Sequence, residues 1–167
     1  MRRILSLLAS ASILLLLAGL PATGHAGTTR ATAEPLESFP QALLHIESAG
    51  RRLKFTVRVA DTPARREQGL MFVKSLPPDG GMLFLFPQEV DTAFWMKNTL
   101  IPLDLLFVRR DGSIARIAQG ARPHDLTPIP AGEPVLGVLE LAGGSSARLG
   151  LRAGDRVVSL SLRPASR

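Results

Sequence analysis

Trp95, Lys97, Asn98 and Asp104 fall within one ten-residue stretch and bring together an aromatic plate, a cation, an amide and a carboxylate. An indole offers a flat face on which a sugar or a peptide stacks, and neighbouring polar groups fix the orientation of what sits there. Pro102 stiffens the return of the chain toward Asp104. Asp104 itself stands inside the apolar run LDLLFV (residues 103–108), where a carboxylate without a partner is costly. It is therefore expected to meet Lys97, an arginine such as Arg66, or backbone donors of the neighbouring loop. On the structural reading Asp104 ties down the 98–102 loop by hydrogen bonds, as buried carboxylates commonly serve local architecture. On the functional reading Trp95, Lys97, Asn98 and Asp104 line one side of a shallow cleft. Arg66 and Glu67, near the start of a helix, and Glu140, between two leucines in VLGVLEL, join that candidate ligand-binding set.

Two further chemistries are open to these residues. A pair of carboxylates performs acid–base hydrolysis, so Asp104 and Glu140 make an envelope-polymer hydrolase the alternative reading, provided both face one cavity about 5–10 Å apart. Met71, Met82 and Met96 carry soft thioethers, which suit cuprous copper, with His124 as a fourth ligand; each also stands in an apolar run where it packs as ordinary core. No Gly-x-Ser-x-Gly elbow, phosphate-binding glycine loop or His-Glu-x-x-His motif occurs. Catalysis is thus unsupported, no cofactor is expected, and a binding module is the leading expectation.

The chain has 167 residues, enough for one domain after a targeting segment. Arg2 and Arg3 precede an apolar run over residues 4–20, and Gly24 and Ala26 place small residues at both specificity positions of a cleavage site. Residues 1–26 read as a signal peptide, and a periplasmic or secreted location follows. Membrane contact is expected only through that segment before its removal. The remaining chain holds 18 basic and 14 acidic side chains, a formal +4. Its arginines are scattered rather than gathered in a stripe, which argues against nucleic acid as a partner. The expected partner is an envelope ligand or a small molecule, and the expected state is a monomer. There is no cysteine, so disulfides, thiolate nucleophiles and zinc–thiolate sites are excluded.

The elements that must position these residues follow from periodicity. Residues 27–42 are polar and proline-bearing, and read as a flexible tether to a single domain over residues 43–163. Residues 43–47 and 53–59 (LKFTVRV) predict two strands about a turn, the second alternating cleanly. Thr62 or Asp61 caps a short helix with Pro63 at its first position, and Gly69 ends it. Strands are expected at 82–86, 92–97, 103–108, 113–119, 135–141 and 156–162, with a hairpin at Asp111-Gly112 and a long loop over 120–134. A second short helix is expected between 142 and 149. About eight strands and two short helices with hairpin-length links predict a mainly β fold, a compact antiparallel barrel or jelly-roll-like sandwich.

Four stretches carry a family resemblance: residues 64–72 (ARREQGLMF), 81–86 (GMLFLF), 94–104 (FWMKNTLIPLD) and 139–154 (LELAGGSSARLGLRAG). Together they resemble the exported-domain family known as domain of unknown function 192. The resemblance covers residues from about 45 to 162. It implies a β-rich, barrel- or jelly-roll-like fold, and it implies no particular activity.

Overall fold

A computed structural model describes residues 33–159. The expected signal segment lies outside them, as do residues 27–32 of the expected tether and residues 160–163 of the expected domain. Among the described residues, β1 (Gln41–Ser48) and β2 (Arg51–Ala60) form the predicted hairpin across Ala49 and Gly50, both left-handed. Thr62 then caps α1 (Pro63–Gln68), its side chain accepting the Arg65 N–H at 3.3 Å. The order continues β3 (Gly80–Val90), β4 (Ala93–Phe94), β5 (Leu103–Val108), β6 (Ile114–Ala121), β7 (Ile129–Pro130), β8 (Val135–Ala142), α2 (Ser145–Leu149) and β9 (Arg156–Ser159).

Seven strands form one curled, half-barrel sheet in the order β6-β5-β8-β3-β2-β1-β9, and β4 pairs with β7 in a small second sheet. The fold is mainly β with two short helices, as the hairpin-length links predict. One pair departs from the antiparallel expectation: β2 and β3 run parallel, from Thr56 opposite Gly80 to Ala60 opposite Phe84. A long helix was the expected cost of such a pair, but residues 61–79, a one-and-a-half-turn helix and a loop, already return the chain to the same end. The strand predicted over 92–97 is also shorter than expected. Only Ala93 and Phe94 pair, with Pro130 and Ile129, because Met96 donates its N–H to the Asp125 carbonyl and Asn98 turns left-handed.

Both faces of the large sheet are covered, so β5 is buried at all positions and β8 at all but its last. One face packs Leu44, Phe55, Leu83, Leu106, Leu139 and Leu141. The other packs Met82, Phe84, Leu103, Leu105, Phe107 and Val138. Gly81 lets β3 and β8 close together, since a Cβ there would clash with the Glu140 carbonyl oxygen.

The expected tether is fixed over its described part. Phe39 is buried, the Gln68 side-chain amide exchanges two hydrogen bonds with the Glu34 backbone, and Glu34 pairs with Arg65 at 3.1 Å. An aromatic anchor and a helix-borne amide were enough to convert a polar, proline-bearing stretch into packed structure. The Arg65 guanidinium accordingly holds the Glu34 carboxyl below its usual range.

Asp104 is fully buried and accepts three backbone N–H groups: Gly120 at 2.9 Å, Gly144 at 3.1 Å and Ser146 at 2.7 Å. Gly144 is the N-cap of α2 and has no side chain with which to cap it. Asp104 supplies that cap from the adjacent strand, satisfying helix-end donors that would otherwise be orphaned. The expectation that it pairs with Lys97 or Arg66, or holds the 98–102 loop directly, is thereby corrected. Backbone donors do hold it, but they come from the ends of β6 and α2. Truncating a buried carboxylate that serves several donors costs about 3–5 kcal/mol. Asp104→Ala should therefore lower the melting temperature by roughly 10 °C or more in thermal unfolding, and a shift within experimental scatter would show that the clamp is dispensable.

Candidate functional site

The strand register sorts the two acids that the sequence singled out. On β8, Leu141 lies opposite Asp104 of β5, while Glu140 lies opposite Leu105 of β5 and Met82 of β3. Successive side chains of a strand point to opposite faces, so Asp104 and Glu140 face opposite sides of the sheet. The paired-carboxylate arrangement required by the hydrolase alternative is absent, and that reading is corrected: Asp104 is a structural clamp on one side, and Glu140 faces the Met82–Leu105 side.

On that side a pocket of about 270 Å³ opens between α1, the end of β3 and the turn after β4. Phe84 and Phe86 line it from β3, Phe94 and Trp95 from β4 and its exit, and Met71 from the segment after α1. Phe84 and Phe94 meet edge to face with ring centroids 4.9 Å apart. Glu140 is the acid in its wall that is almost entirely buried, 4% exposed. Its carboxyl makes no hydrogen bond or ion pair with another described residue. Burial disfavours the charged form and pushes its carboxyl up from 4.5 to about 8.

Five of the seven residues expected from sequence line this pocket: Arg66, Glu67, Trp95, Lys97 and Glu140. Arg66 is committed to the fold, donating from Nη1 to the carbonyls of Asp61 at 2.7 Å and Leu85 at 2.8 Å, with its guanidinium 5.5 Å from the Phe86 ring centre. Glu67 is exposed. Trp95 is 53% exposed, and the Lys97 ammonium stands 5.3 Å from its ring centre. Asn98 stands behind the wall with φ 55°, its carbonyl accepting the Phe72 N–H at 2.9 Å and its side-chain amide directed to the Met71 sulfur at 3.7 Å. Asp104, as described, belongs to the other face.

The methionines are divided. Met82 and Met96 are buried in the apolar cluster, and Met71 alone of the three lines the pocket. His124 is exposed in the loop before β7. Among the described residues no group of three or more His, Cys, Asp or Glu side chains converges as for a metal ion.

Sequence reasoning missed the aromatic lining, Phe84, Phe86 and Phe94, and also Thr99, which is buried against the pocket. The run MLFLF gave no face to choose, because every position is apolar. The alternation of Met82, Phe84 and Phe86 points to the Glu140 face only once the β3–β8 register is known.

The sequence model of DUF192, described as "Uncharacterized ACR, COG1430", matches residues 44–159. A crystal structure of a Sinorhizobium meliloti 1021 protein, described provisionally as a transcription regulator, is 43% identical. The match covers 73% of this chain and 95% of that one, with a TM-score of 0.72. A protein of unknown function from Novosphingobium aromaticivorans DSM 12444 is 39% identical over 81% of this chain and 98% of that one, also with a TM-score of 0.72. No curated protein matches the chain.

The raised value of Glu140 fixes a pH dependence of stability. The unfolded side chain ionises near 4.5, whereas the folded one holds its proton to about 8, so folding takes up a proton in that window. The associated stability is complete below the lower value and is lost as pH rises through the upper one, at about 1 kcal/mol per pH unit. Urea unfolding from pH 5 to 8 should show this decline in the parent protein and a flatter profile in Glu140→Gln. Parallel profiles would show that Glu140 is not the group taking up the proton.

Proposed function

The chain belongs to the DUF192 family, and from that premise we propose that it is an exported domain that binds a small molecule, or the tip of an envelope component, in the pocket beside Trp95. The observation that carries the reading is Glu140, an acid 4% exposed in a pocket wall and without a partner among the described residues. A buried polar group without a hydrogen bond costs stability, and a ligand that completes the bond recovers it. The pocket combines aromatic and aliphatic walls with polar and charged side chains, the first giving apolar contact and the second able to orient a ligand. Its volume of about 270 Å³ fits a small molecule or a terminal unit rather than a length of polymer. Trp95 provides a half-open apolar face at the rim, and Lys97 provides the adjacent cation.

Export is supported by the positive start, the apolar run over residues 4–20 and the small residues Gly24 and Ala26. Processing after Ala26 would leave Gly27 as the first residue, and N-terminal sequencing of the protein recovered from the periplasm or medium tests it directly. A chain still beginning at Met1 in the cytoplasm would overturn that part of the reading.

The binding part is tested with a fragment library monitored through the indole N–H resonance of Trp95, the single tryptophan of the chain. Saturable hits should shift that resonance. They should be lost in a Trp95→Ala/Lys97→Ala double variant whose melting temperature stays within about 2 °C of the parent, since substitutions at exposed positions rarely destabilise strongly. A library with no saturable hit at Trp95, or hits that persist in the double variant, would remove the pocket from consideration.

A further inference from the structure

We propose that the pocket selects an organic ammonium ion, an amine whose protonated nitrogen pairs with the Glu140 carboxylate while its carbon frame lies against Phe84, Phe86 and Phe94. The inference rests on the pocket reading above and adds the chemical class of its ligand.

The donors around the pocket argue against an anionic head group at depth. The Arg66 guanidinium already serves two backbone carbonyls. The Gln68 amide is spent on both backbone groups of Glu34. Thr99 donates its hydroxyl to the Lys97 carbonyl at 3.3 Å, and Thr92 is half-buried with a hydroxyl that serves either role. Lys97 is exposed and lies over the indole at the rim. The uncommitted ionisable group inside is therefore an acid, and in its ionised form it accepts from a donor.

The walls make the same selection. Four of the chain's eight aromatic residues line the pocket, and an aromatic face attracts cations through its quadrupole. Two of these rings already hold a cation at that range, Lys97 over Trp95 at 5.3 Å and Arg66 over Phe86 at 5.5 Å. An ammonium that enters the pocket meets such rings together with a carboxylate that is itself almost entirely buried, where a charge-assisted hydrogen bond is stronger than in open water.

The proton balance follows. The ligand nitrogen keeps its protons, and Glu140 releases its own to solvent as the ion pair forms. The charged and titratable groups facing Glu140 across the pocket are Arg66 and Glu67 from α1 and Lys97 from the turn after β4, while the flanking strands oppose it with Met82 and Leu105. Below the value to which burial raises Glu140, a cationic ligand competes with a proton, so its affinity rises with pH.

Benzylammonium, benzyl alcohol and benzoate share one frame and differ in charge, and each is titrated against Trp95 fluorescence at pH 6, 7 and 8. Benzylammonium should bind saturably, about tenfold or more tighter than the other two at pH 8, and should weaken by up to about tenfold per pH unit on going down to pH 6. Calorimetry in buffers of different ionisation enthalpy should register close to one proton released per ligand at pH 7. Glu140→Gln, a neutral isostere, should abolish both the preference and the proton release. The pH profile and the proton count are read on the parent protein, so they decide the matter even if that variant does not fold. Benzoate or benzyl alcohol binding as tightly as the amine, or amine binding without pH dependence, overturns the ammonium assignment and leaves the pocket standing as a ligand site. Failure of all three probes also overturns it, while the fragment screen at Trp95 separately decides whether the pocket binds anything.

Discussion

The register of β8 between β3 and β5 is the constraint from which the rest of the molecule follows. Glu140 is locked opposite Met82 on one side and Leu105 on the other. Because the side-chain period of a strand is two, a slip of one residue would exchange the faces of Glu140 and Leu141 and send an acid into the aliphatic cluster. Gly81 protects that register by contact: any side chain there would strike the β8 backbone at Glu140. The two acids buried in this sheet are thus sorted by geometry rather than by chemistry. Asp104 falls where three amides converge, and Glu140 falls where none of the described residues supplies a donor.

That sorting gives the acids opposite energetic characters. Asp104 replaces lost water with backbone donors and contributes to stability as a clamp, holding the start of α2 against the end of β6. The neighbouring Gly143 N–H reaches the Pro102 carbonyl at 2.8 Å, which extends the same tie to the chain entering β5. Glu140 replaces lost water with aromatic and aliphatic walls and stays neutral at the expense of a raised proton affinity. A well-packed apolar residue at the same position would serve the fold better. The acid at this position therefore contributes nothing to the fold that a packed apolar side chain would not, and it lines the pocket without a partner among the described residues.

The sequence made the fold legible where a single face is buried. The alternation LKFTVRV, the cap Thr62-Pro63 and the turn Asp111-Gly112 each translated into the element they predict. The runs MLFLF, LDLLFV and VLGVLEL identified central strands but concealed their facing, since a strand covered on both sides carries no alternation. That is why Asp104 and Glu140 were assigned to one cleft on sequence grounds and prove to lie on opposite faces. The parallel β2–β3 pair was hidden for a related reason, as a crossover can be made from loop as well as helix. Trp95, Lys97, Arg66 and Glu67 were found because charged and aromatic side chains cluster conspicuously in sequence. Phe84 and Phe86 were not, because in a core strand a pocket wall and a packing residue read the same way.

Two residues of the pocket wall, Met71 and Lys97, are each followed by a residue in left-handed backbone. Phe72 and Asn98 both adopt left-handed backbone, at φ 64° and 55°, and they are joined by the hydrogen bond from the Phe72 N–H to the Asn98 carbonyl. For a bulky residue such as phenylalanine this conformation costs on the order of 1 kcal/mol or more, and at 57% exposure Phe72 recovers little of it by burial. What the strained pair achieves is placement. Met71 is turned toward the pocket with the Asn98 amide on its sulfur, and Lys97 is set beside Trp95. The Met96 N–H on the Asp125 carbonyl anchors the same turn from below. A loop held at this many points loses little further freedom when a molecule binds, so the interaction energy of a small ligand is not consumed in ordering its receptor. Backbone strain just behind Met71 and Lys97, and an acid in the wall without a partner among the described residues, are then two features of one pocket, each unfavourable to the isolated domain.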